Sequence, residues 1–94
     1  MPRARGIDEV IDRLRASWPE LRCEQLRVTH PGADDDGVWF FAHPTTREEV
    51  QVESSSGDPP FLVESDQAPA AMCPSVEATL AVVARRLGLR DRTV

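Results

Sequence analysis

Three short polar clusters between residues 30 and 60 constrain this chain more than any other feature. They are His30-Pro31-Gly32-Ala33-Asp34-Asp35-Asp36-Gly37, His43-Pro44-Thr45-Thr46 and Ser54-Ser55-Ser56-Gly57-Asp58-Pro59-Pro60. Each is rich in the residues that make turns. Between them lie four runs that read as strands. Leu21 to Thr29 reads best from Glu24 onward, with Leu26 and Val28 on one side and Gln25, Arg27 and Thr29 on the other. Val38-Trp39-Phe40-Phe41-Ala42 is apolar at every position, and Glu48 to Glu53 alternates Val50 and Val52 with Glu49, Gln51 and Glu53. Phe61-Leu62-Val63-Glu64 is the fourth. A parallel pair needs a crossover of about a dozen residues or more, so connections this short predict an antiparallel meander.

Helical periodicity brackets the strands. Ile7, Val10, Ile11, Leu14, Trp18 and Leu21 recur at steps of three and four, and Pro19 predicts an end near Ser17. Val76, Leu80, Val83, Ala84 and Leu87 form a second stripe. Ser75 is its expected N-cap and Gly88 its C′ residue, with Arg85 and Arg86 in the last turn. Ser65 to Pro74 lacks a period and reads as a loose connection, the most mobile part of the chain.

The expected fold is α+β, a two-layer sandwich in the order α-β-β-β-β-α. A four-stranded antiparallel meander carries both terminal helices on one face, since each helix has one apolar stripe to bury. The chain is expected to be a single domain over residues 1–94, with 1–6 and 89–94 as frayed tails. No apolar run approaches the roughly 20 residues that cross a bilayer. Asp8 and Glu9 interrupt any secretory apolar core after the basic start, so no signal and a cytoplasmic location are expected.

Charge is unevenly spread. Residues 1–30 hold six arginines and five acids, and residues 31–84 hold Arg47 against ten acids. Residues 85–94 hold four arginines against Asp91. An acidic body speaks against broad nucleic-acid binding, which works by neutralising phosphates, and suits a basic protein partner or simple solubility. Eleven arginines with no lysine, asparagine or tyrosine also point to a GC-rich bacterial genome.

With both helices on one side, the opposite sheet face meets solvent or a partner. Val38, Phe40, Ala42, Val50, Val52, Phe61 and Val63 are expected inward, and Arg27 outward. The expected partner-binding set is the rest of the outward face: Trp39, Phe41, His43, Glu49, Gln51, Glu53, Leu62 and Glu64. Reversing the phase of the second strand would expose Val38 and Phe40 instead, so large apolar groups face out in either phase. The competing expectation is that the 65–74 segment or the tail folds over this face.

No catalytic or cofactor motif is present. His30 and His43 with Asp34, Asp35 and Asp36 match no zinc spacing and no calcium-loop layout, so no metal is expected. Cys23 reads as a small buried residue at a strand start, and Cys73 as an exposed, oxidisable thiol before Pro74. Neither forms a recognisable nucleophile pair with a histidine. Glu49, Glu53 and Glu64 would cluster and favour a cationic partner. The expectation is a small acidic, non-enzymatic interaction module, inhibitor-like or secretion-chaperone-like, binding another protein or a second copy of itself. The alternative is a ligand-binding or enzymatic domain with its pocket between the sheet face and the 65–74 loop.

Overall fold

The turns produce the meander they predict, with one more strand. The computed structural model describes residues 5–25, 37–66 and 68–89. Its elements are α1 (Gly6–Ser17), β1 (Arg22–Gln25), β2 (Val38–Ala42), β3 (Glu49–Glu53), β4 (Phe61–Ser65), β5 (Ala68–Cys73) and α2 (Val76–Leu87). The sheet runs β1-β2-β3-β4-β5, antiparallel throughout. The second half of the first strand run, Arg27, His30 and the three aspartates all lie outside the described residues.

The fifth strand corrects the expected loose connection over 65–74. Ala68-Pro69-Ala70-Ala71-Met72-Cys73 has no β-branched residue and no clean alternation, so its strand character does not come from side-chain preference. It comes from β4, whose backbone offers a ladder: Phe61 pairs with Cys73, Leu62 with Met72 and Val63 with Ala71. The register shifts between Val63 and Ser65, and Pro69 is tolerated because β5 is an edge.

The core lies between the sheet and the helices. Ile7, Val10 and Leu14 of α1 and Val83 and Leu87 of α2 are buried against Trp39, Phe41, Val50, Val52, Phe61 and Val63. Helix α2 lies over β3, β4 and β5, with α1 beside it. Thr79 is also fully buried on α2, although polar, because its hydroxyl donates to the Ser75 carbonyl at 2.8 Å. Trp18 is the C-cap of α1 and packs against the core, and Leu89 does the same beyond α2.

Both helix starts are tied down. Ser75 accepts from the Ala78 N–H at 3.1 Å, and Gly88 ends α2 at φ 70°, the left-handed conformation that glycine adopts freely. At α1 the cap comes from the other side of the molecule. Asp58 accepts from the Gly6 N–H at 2.8 Å, and the Gly57 carbonyl accepts from the Ile7 N–H at 2.8 Å. The loop between β3 and β4 thus satisfies donors that a helix start leaves unpaired, and its carboxylate sits at the positive end of the dipole. Gly6 therefore opens α1 and does not belong to a frayed tail.

Burial also corrects the phase of β2. Trp39 and Phe41 face the core, and Val38, Phe40 and Ala42 face outward. Because β2 is apolar at every position, its own alternation carries no phase. Its neighbour decides: Trp39 stands opposite Val52 and Phe41 opposite Val50, and both valines are buried. Arg5 closes the edge of this core, its guanidinium 5.8 Å from the Trp39 ring centroid.

Candidate functional site

Strand pairing arranges the open face in three transverse rows. Residues directly opposite one another share a face, so each row follows from the register. One end row is Arg22, Ala42 and Glu49. The middle row is Glu24, Phe40, Gln51 and Glu64. The far row is Val38, Glu53, Leu62 and Met72. Of the expected partner-binding residues, Glu49, Gln51, Glu53, Leu62 and Glu64 are here. Trp39 and Phe41 are not, being sealed in the core.

His43 leaves the face for a different task. Its Nδ1 accepts from the Thr45 N–H and the Thr46 N–H, both at 3.1 Å. Two backbone donors on one nitrogen require that nitrogen to be the acceptor, so the neutral ring carries its proton on Nε2. The imidazole therefore holds the turn between β2 and β3.

Sequence reasoning missed Met72 and Glu24 as members of the face, and held Val38 and Phe40 only as the reversed-phase alternative. The signal for Phe40 and Val38 was present in the valines of β3, which set the phase of the strand beside them. Met72 is 62% exposed, the one large apolar side chain so exposed among the described residues, and it could not be placed without β5.

The 65–74 segment does not cover the face, because Ala68–Cys73 continues the sheet. What remains of the expected pocket is an open hollow of about 390 Å³ at one end. Phe40, Gln51, Glu49, Glu64 and Ser65 line it from the strands, and Arg47, Glu48 and Asp66 from the turns. A smaller hollow beside it shares Phe40 and Glu49. Neither lining contains a thiol or an imidazole, so neither offers a nucleophile–base pair of that kind.

The charges divide by layer. The open face and its two flanking turns carry Glu24, Glu48, Glu49, Glu53, Glu64 and Asp66 against Arg22 and Arg47. The helices are balanced: Asp8, Glu9, Asp12 and Glu77 against Arg13, Arg15, Arg85 and Arg86. Pairing divides in the same way. Arg13 reaches Glu9 at 3.2 Å and Glu77 at 3.5 Å, joining the two helices. Among the described residues, no ion pair forms on the open face, where Glu53 accepts one hydrogen bond from Gln51 at 2.8 Å. Among the described residues Arg22 and Arg47 are the only positive charges on that surface; neither forms an ion pair there, and the carboxylates outnumber them.

The cysteines take no part in this site. Cys23 is half-buried on β1, where burial pushes its thiol up from the ordinary value of 9.0; Arg15 opposes the rise and Glu24 adds to it. Cys73 is buried at the end of β5, which corrects the expectation of an exposed thiol. The two lie on opposite edges of the sheet, four strand spacings or about 19 Å apart, far beyond disulfide reach. No group of side chains that could hold a metal occurs among the described residues. No helix among them is long and apolar enough to cross a membrane.

No family model, curated protein or solved structure matches the chain.

Proposed function

We propose that this protein is a non-enzymatic interaction module whose open sheet face binds a basic protein partner. The observation that carries the reading is the layering of charge: helices balanced in charge and joined through Arg13 on one side, and an excess of carboxylates without ion pairs around Phe40 on the other. Half-buried Val38, Phe40 and Leu62 and the exposed Met72 supply the apolar surface that an interface desolvates. The carboxylate rim supplies orientation and a fast, salt-sensitive encounter with a cation-bearing surface.

The same rim argues against a homodimer formed face to face. Two copies would set Glu24, Glu49, Glu53 and Glu64 against their own kind, and like charges juxtaposed at an interface are destabilising. This favours an inhibitor-like protein, monomeric until its target arrives, over a chaperone-like dimer.

The test has two readouts. Light scattering across a concentration series at low salt should return the mass of one chain. Titration with hexa-arginine, followed by amide chemical shifts, should perturb β2, β3 and β4 and leave the helices unmoved, with the shifts fading as salt screens the rim. A stable dimer buried through β2–β4, or shifts concentrated on the helix layer, would overturn the proposal.

A further inference from the structure

We propose that the hollow at the end of the open face is the seat of an arginine side chain from the partner. The partner segment would lie along β3 and β4, with its apolar residues toward Leu62 at the other end of the face, in the row that Leu62 shares with Val38, Glu53 and Met72. This rests on the open-face reading and adds to it the chemistry and direction of the ligand. Glu64 stands opposite Gln51, and Glu49 is two residues along the same strand. Such diagonal neighbours lie about 7–8 Å apart, so one planar guanidinium between them can donate to both sides. An ammonium is a compact, strongly hydrated point charge without that rigid planar fork, so it matches two flanking carboxylates less well. Phe40 lines the same hollow and provides an aromatic surface for stacking, which again favours arginine.

Direction follows from the rows. The carboxylates of the hollow lie toward the Ala42 end of β2, and Val38, Leu62 and Met72 lie toward the other end. Val38 to Ala42 spans four residues, about 13 Å at strand rise. An extended segment of about five residues covers that distance.

The probe is the acetylated, amidated peptide Arg-Ala-Leu-Ala-Leu, titrated into the full chain at low salt and followed by amide chemical shifts. A control peptide carries citrulline in place of arginine, keeping the shape and removing the charge. Saturable shifts at both Glu49–Gln51 and Leu62–Glu64 are expected with arginine, and about tenfold weaker binding with citrulline. The Glu49→Gln/Glu64→Gln variant, checked for a native spectrum, should abolish the difference between the peptides. Shifts confined to Val38, Leu62 and Met72 and equal for both peptides would overturn the arginine seat while sparing the open-face reading. No saturable shift anywhere on the sheet would overturn both.

Discussion

Adjacent phenylalanines of β2 provide an internal comparison of core and face. Phe41 is fully buried, opposite Val50 and Cys23, whereas Phe40 is half-buried on the open side. The two share residue type, strand and secondary-structure preference, so truncation to alanine isolates what each ring touches. Removing a buried phenylalanine loses its transfer free energy and leaves a cavity, together about 3–5 kcal/mol. A half-buried ring loses about half of the ~1.5–3 kcal/mol that full burial contributes, and leaves a dent that water can fill. A chain this size is stable by about 5–14 kcal/mol in all, so Phe41→Ala removes a large share. Its midpoint temperature should fall by roughly 12–40 °C, at about 4–8 °C per kcal/mol, and that of Phe40→Ala by about 3–12 °C. Urea unfolding followed by circular dichroism measures both without relying on tryptophan. The phase argument predicts a difference of about 2 kcal/mol or more between them. Equal losses, or a larger loss for Phe40→Ala, would refute the assignment of the two faces and remove the aromatic from the proposed interface.

Other consequences are open to simpler measurements. Asp58→Ala should cost about 1–2 kcal/mol in denaturant melts, since it unties the start of α1 from 52 residues away, and Asp58→Asn should recover most of that. Air or diamide oxidation of the native monomer should yield no intramolecular Cys23–Cys73 bond by mass spectrometry; a bridged peptide from native protein would contradict the strand order. The raised thiol of Cys23 disfavours thiolate in the folded chain. Its contribution to stability is therefore complete below the ordinary thiol value of 9.0 and is lost as pH rises through the higher folded value. Melts between neutral pH and pH about 10 should show this decline, and Cys23→Ala should flatten it. Arg5→Ala should lower stability modestly by uncovering the Trp39 ring, visible as a red shift and increased quenching of its fluorescence.

The sequence by itself determined the two helices, the caps of α2 and the order of the first four strands. These depend on local chemistry: three-and-four spacing in Ile7, Val10 and Leu14, the hydroxyl of Ser75, the conformational freedom of Gly88, and turns too short for anything but antiparallel neighbours. It also placed Glu49, Gln51, Glu53, Leu62 and Glu64 outward, because β3 and β4 alternate and alternation carries phase. Tertiary structure decided the rest. A run apolar at every position, as β2 is, has no intrinsic inside, and only pairing with Val50 and Val52 turned Trp39 and Phe41 to the core. Ala68–Cys73 became a strand because β4 needed partners for its backbone, a demand that no property of those side chains records. The separation of Cys23 from Cys73, the capping of α1 by Asp58 and the gathering of unpaired carboxylates around Phe40 all join residues distant in sequence. Local chemistry chooses elements, but only the packing of those elements chooses which residues meet.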